Sequence, residues 1–223
     1  MEKMYILAFD TTASACSIIL QKDKEVLSEY KQIMDFGQSE VLISQIQKML
    51  TGANLQFRDI NLLFVCVGPG SFTGVRSSIS AARTFQLACP ELLLSGVSAF
   101  DAYILTLAPQ EIADINAVII ETKRDDFYVQ LFDSSLKKIS PPQAATYDTI
   151  LNMLKGKKVS LIGDGVERFL RQPSGLSLHC IKMEDCPSIN GIISAGLRQF
   201  KEKCLDYPKP LYLRAPDVSK PKS

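Results

Sequence analysis

The apolar positions of this chain follow two rhythms. Met4 to Phe9 and Cys16 to Leu20 are strand-length apolar runs on either side of a polar turn, Asp10 to Ala15, and Glu25 to Lys31 adds a third strand, so the pattern predicts a β-meander. Helical spacing takes over in "SEVLISQIQKML". Leu42, Ile46, Met49 and Leu50 share one face there, with Ser39 expected as the N-cap and Glu40 in the first turn, where an acid suits the helix dipole. "INLLFVCV" is then an unbroken apolar run, the pattern of a parallel strand buried on both faces. The loop "GPGSFTG" follows, and after it a helix expected from about Val75 to Ala88, with Val75, Ile79, Ala82 and Phe85 on one side. Ser98 is placed to cap a short helix running through Leu107.

The same order of elements returns in the second half. Asp10-Thr11 has a counterpart in Glu121-Thr122: each pair follows an apolar strand ("ILAF", "AVII") and leads through a polar turn into another ("CSIIL", "FYVQL"). "VCVGPG" is echoed by "SLIGDG", which sets Gly68 and Gly70 against Gly163 and Gly165, each pair ahead of a helix. Two matches in the same order predict a duplicated α/β unit, divided as residues 1–108 and 109–223.

Composition narrows the chemistry. Lys and Arg total 25 against 24 Asp and Glu, so no overall field draws the chain to nucleic acid or a membrane, and any RNA contact must be local or made by a partner. Asp10 interrupts the apolar start before a signal core or a membrane span is complete, which points to the cytoplasm. The six cysteines include no C-x-x-C pair and read mostly as buried thiols rather than zinc ligands or disulfides. His179 is the sole histidine, in an alternating strand-like stretch where a structural role is the expectation; a His-pair metal site cannot be built from it. The basic end, with Lys209, Arg214, Lys220 and Lys222 among prolines, reads as solvated, except that Leu211, Tyr212 and Leu213 are expected to pack back on the body.

The loop after "VCV" fails each phosphate or nucleophile template. Walker A needs a glycine where Pro69 stands and a lysine where Val75 stands; the dinucleotide fingerprint needs a glycine at Thr73. A nucleophile elbow around Ser71 would require glycine at both Pro69 and Thr73. What survives is a strand-loop-helix junction whose amides could receive an anion beside Ser71 and Thr73. The structural alternative has Gly70 and Gly74 permitting positive φ or close packing while Ser71 or Thr73 caps the helix. Asp10, with Thr11 and Thr12, could hold a hydrated Mg²⁺ and phosphates, and Glu121 could supply a second carboxylate unless Lys123 and Arg124 neutralise it. Arg76 opposes the dipole of its own helix and so calls for a carboxylate or a partner.

These stretches resemble the TsaB (YeaZ) family, the bacterial partner proteins in making threonylcarbamoyladenosine in transfer RNA. "ILAFDTTASACSIIL", "GPGSFTGVR", "GVSAFDA" and "PLYLR" carry the resemblance over nearly the full length. It implies an α/β fold of the actin/Hsp70-like class with two ribonuclease-H-like halves. It also implies a noncatalytic subunit with neither metal nor cofactor, which pairs with the catalytic homologue TsaD, works with the ATPase TsaE, reaches transfer RNA mainly through that complex and forms a possible homodimer when alone. The partner surface is then expected on the two long N-terminal helices, at Ser39, Leu42, Ile46, Arg76, Ile79 and Arg83, with Asp10, Thr11, Gly68, Gly70, Ser71, Gly163 and Gly165 as vestigial phosphate loops. Two departures stand out: Gln38 replaces a family histidine, and "ETKRDDFY" replaces the usual D-A-R-x-G-E-V-Y. The competing expectation is an independent ATP-using enzyme of the same fold, with phosphates between Asp10, Gly68 and Gly163.

Overall fold

A computed structural model of the chain describes residues 3–34 and 36–214, so Lys220 and Lys222 of the basic end lie outside the described residues. The first half runs β1 (Tyr5–Asp10), β2 (Ala15–Lys22), β3 (Glu25–Ile33), α1 (Gln38–Gly52), β4 (Leu62–Cys66), α2 (Phe72–Ala88), β5 (Leu93–Val97) and α3 (Ala99–Ile104). The second runs β6 (Ile115–Glu121), β7 (Asp126–Asp133), β8 (Gln143–Thr146), α4 (Tyr147–Leu154), β9 (Lys158–Gly163), α5 (Val166–Leu170), β10 (Ser177–Met183) and α6 (Ile189–Lys201).

The two five-stranded sheets have the orders β3-β2-β1-β4-β5 and β8-β7-β6-β9-β10. In each, three strands form an antiparallel meander and the last two run parallel to the first strand. Every strand and helix of one half therefore has a counterpart in the other: the fold is a duplicated ribonuclease-H-like unit of the actin-like α/β class.

The alternation of side chains explains why β1, β4, β6 and β9 read as continuous apolar runs. Leu7, Phe9, Leu63 and Val65 face one core beneath α1 and α2, whereas Ile6, Ala8, Leu62 and Phe64 face a second core on the opposite side of the sheet. Sheet two repeats this: Ala117, Ile119, Val159 and Leu161 pack in a core of their own, while Val118, Ile120 and Ile162 join the second core of the first sheet. That shared core holds α3 and α6 between the sheets, giving a stack of α1/α2, sheet, α3/α6, sheet and α4/α5.

The middle layer is exchanged between the halves. α6, from the second half, packs on β1, β4 and β5, and α3, from the first, packs on β6 and β9. The chain after α6 also returns to the first half: Gly96 donates its amide to the Asp206 carbonyl, and Leu211 to that of Val67. The expected division at 108/109 thus separates the strands of the sheets but not their helices. Leu211 and Leu213 do pack on the body, as their apolar character predicts.

Helix ends differ from expectation in instructive ways. α1 starts at Gln38, capped by Gly37 in the left-handed region (φ 86°), whose carbonyl accepts from Glu40 and Val41. The Ser39 hydroxyl is directed elsewhere, to Ser77 on α2 at 2.7 Å. α2 starts at Phe72 rather than near Val75, because Ser71 caps it by accepting from the Gly74 amide. α3 is capped by Ser98 but ends at Ile104 rather than Leu107. No helix among the described residues is long and apolar enough to cross a membrane.

Candidate functional site

The ends of β1, β4, β6 and β9 meet at a cleft of about 640 Å³ between the halves, whose walls include Thr12, Gly70, Ser71, Glu121, Gly163 and Asp164. The duplicated turns singled out from the sequence thus come together, each at the end of a central strand.

On the first-half side these turns are stitched to one another. The Thr11 hydroxyl lies 2.8 Å from the Gly74 carbonyl and 2.6 Å from the Ser78 hydroxyl, and the Ser71 amide donates to the Thr12 carbonyl at 2.7 Å. Gly70 and Gly74 are required by this contact: a Cβ at either position would overlap a backbone carbonyl oxygen, that of Thr12 or of Thr11. Neither has positive φ; that conformation falls to Gly68, before a cis Gly68–Pro69 bond, and to Gly163. The second-half loop repeats the arrangement, with Gly163 against the Ile119 carbonyl and the Gly165 amide donating to the same group at 3.0 Å.

Asp10 is fully buried at the end of β1. Its Oδ1 accepts from the Thr12 amide at 2.8 Å, while Oδ2 has no hydrogen-bond partner among the described residues. Burial pushes its carboxyl up to about 6, with the Thr12 bonds opposing. Asp164, between the two second-half glycines, is raised to about 7, first by burial and further by the Glu121 carboxylate, although it accepts the Glu121 amide at 3.0 Å. Tyr103 on α3 reaches the same cleft with a buried hydroxyl that has no hydrogen-bond partner among the described residues. Glu121 is neutralised by Arg168 of α5, a residue not singled out from the sequence, in a two-pronged pair at 2.7 and 2.9 Å. The Arg168 guanidinium lies 3.7 Å from the Phe127 ring centroid.

Sequence reasoning missed Tyr103, Asp164, Arg168 and the ring of Phe72. Only Asp164 left a signal, as an acid placed between glycines at the position echoing Pro69. Among the described residues no group of three or more His, Cys, Asp or Glu side chains is placed to hold a metal ion. Cys16, Cys66 and Cys186 are buried and Cys204 is exposed, so burial is less general among the cysteines than expected. His179 lies on the exposed strand β10 with Nε2 2.9 Å from the Gln110 carbonyl.

The expected partner surface is corrected at three positions. Leu42, Ile46 and Ile79 are only 1, 2 and 4 % exposed and fill the core between α1, α2 and the first sheet. Helical periodicity marked the inward face. Ser39 and Arg76 are outward. Among the described residues Arg76 meets no carboxylate: its guanidinium lies 3.7 Å from the Phe72 centroid and Nε donates to the Tyr212 hydroxyl at 3.0 Å. Arg83 donates twice to the Pro208 carbonyl, at 3.2 and 2.6 Å, and so fastens the returning chain to α2. Arg214 ends that segment in an ion pair with Asp126 of β7, so residues 206–214 strap one half to the other.

Residues 36–213 match the family described as TsaD, tRNA N6-adenosine threonylcarbamoyltransferase, and the chain belongs to that family. Within it, the chain falls in the TsaB (YeaZ) group. The tRNA threonylcarbamoyladenosine biosynthesis protein TsaB of Bacillus subtilis is 26% identical over 196 residues, covering 86% of this chain and 81% of its own. TsaB of Buchnera aphidicola subsp. Baizongia pistaciae is 27% identical over 221 residues, covering 93% and 97%. The solved structure of YeaZ from Pseudomonas aeruginosa superposes with a TM-score of 0.77 at 18% identity, covering 94% of this chain and all of that one, which establishes the shared fold.

Proposed function

We propose that this chain acts in the cytoplasm in forming threonylcarbamoyladenosine on transfer RNA, as a noncatalytic subunit that pairs with the catalytic homologue TsaD and works with the ATPase TsaE. The observation that carries the noncatalytic part is the way the first-half turns fill their own binding positions. The Ser71 amide is taken by Thr12, the Thr11 hydroxyl lies against Gly74 and Ser78, and Asp10 is walled in at the end of β1. A phosphate or metal ion reaching Asp10 would have to break that stitching. The TsaB relatives, whose names place them in this biosynthesis, support the process, and match to the TsaD family supports pairing between homologous folds.

Reconstitution tests the reading. Transfer RNA, TsaD, TsaE and a source of threonylcarbamoyl-adenylate are combined with and without the chain, and modified nucleoside is quantified by mass spectrometry. Modification should require the chain, and the chain without TsaD should yield none. Equal product in its absence defeats the assignment, and product from the chain without TsaD defeats the noncatalytic role.

A further inference from the structure

The segment that returns after α6 is seated differently on the two halves. On the first half its backbone is engaged: the Asp206 carbonyl accepts the Gly96 amide at 2.7 Å, the Pro208 carbonyl takes both Arg83 bonds, and the Leu211 amide donates to the Val67 carbonyl at 2.9 Å. Tyr212 adds a hydroxyl that accepts from Arg76 and a ring stacked on Phe72 with centroids 5.5 Å apart. Beyond Tyr212 the segment crosses over, and Arg214 pairs with Asp126 at the start of β7. This contact joins two side chains, and that of Arg214 is 34% exposed.

The second-half end of the crossing is held in place without Arg214. The Thr122 hydroxyl lies 3.0 Å from Oδ1 of Asp126 and 2.6 Å from its carbonyl, and Arg168 donates to the same carbonyl at 2.7 Å while it bridges to Glu121. A cation therefore stays beside Asp126 when Arg214 departs, and the turn before β7 keeps its own bonds.

The crossing flanks the mouth of the large cleft. Pro69, Gly70 and Phe72 of the first half and Tyr128 of the second line both that cleft and the smaller space under the strap. Deeper in, like charges belong to opposite halves. Asp164 of the second half is raised to about 7 first by burial, then by the Glu121 carboxylate, and further by the Asp10 carboxylate of the first half. Once both are ionised, Asp10 and Asp164 repel across the seam, and a tie between the halves works against that push.

We propose that residues 206–214 are a latch that sets the width of the cleft: the latch is anchored on the first half and clasped to the second by Arg214 on Asp126, and release of the clasp lets the halves swing apart. Closure on a seam needs a pivot and a fastener. α3 and α6, packed between the sheets, are the pivot, and Arg214 is the fastener. The width so set governs access to Tyr103 and Asp164, which line the cleft.

Pulsed dipolar spectroscopy of the full chain tests this, with spin labels at Glu40 on α1 and Glu167 on α5, both exposed and in opposite halves. Attachment through introduced ketone side chains leaves the native cysteines alone. The parent should give one narrow distance distribution. Arg214→Ala should lengthen the mean by more than about 2 Å, the scale of a domain rearrangement, and Asp126→Asn should do the same. The double variant should open no further than either, since both changes undo one contact. Circular dichroism melts establish that each variant is folded at the temperature of measurement, and if Asp126→Asn does not fold, Arg214→Ala alone decides. Parent-like distances in folded Arg214→Ala, or widening that adds up in the double variant, overturns the proposal.

Discussion

Asp10 carries an energetic cost whose sign can be read. With its carboxyl raised to about 6 from an ordinary 3.8, the folded chain keeps a proton that the unfolded chain has already released near pH 4. Between about pH 4 and pH 6 the folded state therefore binds more protons, and stability from this group falls as pH rises, reaching a constant cost of roughly 3 kcal/mol above that window. Asp10→Asn should keep the acceptor for the Thr12 amide, make the slope between about pH 4 and pH 6 shallower while Asp164, raised to about 7, keeps its own, and raise stability at pH 8 by on the order of 1–3 kcal/mol. Urea unfolding at pH 4, 6 and 8 reads this directly; a variant with the parent's slope shows that another group is responsible. The sequence singled out Asp10, since an acid at the end of an apolar strand is conspicuous, but gave no sign of its complete burial, which distant segments impose. Arg76 shows the converse. Its unfavourable place in a first turn announced a missing partner, yet that partner is a ring and a hydroxyl, one of them 136 residues away.

At the level of elements, strands were legible because continuous and alternating apolar runs are direct records of burial: β1 to β4 fall within a few residues of expectation, whereas the short β5 was not anticipated. Caps were less legible. Ser39 was expected to open α1, but Gly37 caps it and the Ser39 hydroxyl turns to Ser77 instead. The apolar stripes of α1 and α2 could not reveal a partner surface, since a core and an interface impose the same period. Helix α2 is also where backbone proximity is most demanding. Gly74→Ala should cost several kcal/mol, because the added methyl would overlap the Thr11 carbonyl, backbone that has no free rotamer with which to yield. Gly52→Ala, at the end of α1 with nothing within 4 Å of the added carbon, should instead be neutral or stabilise by up to about 1 kcal/mol. Chemical denaturation of the pair checks both, and equal effects would show that helix propensity rather than the contact with Thr11 governs α2.

Across the whole molecule, duplication was readable from two short echoes, whereas the exchange of α3 and α6 was not: an amphipathic helix records that it is buried, not against which sheet. This exchange predicts the behaviour of a fragment. Residues 3–108 contain every strand of the first sheet but lack the helix that covers Ile6, Ala8 and Phe64 on its second face. The fragment should show no cooperative thermal transition by circular dichroism, and should regain one when the α6 segment is joined to it through a flexible linker. A sharp transition in the fragment alone would show that α6 contributes little to this sheet. During synthesis the same arrangement imposes a waiting period. At about 5–20 residues per second, the stretch from α3 to the end of α6 takes on the order of ten seconds to emerge, and for that time one apolar face of the first sheet has no lid of its own. Nascent chains of this protein are accordingly expected to depend on chaperone cover until residue 201 clears the ribosome, and to be most prone to aggregate when translation stalls in the second half.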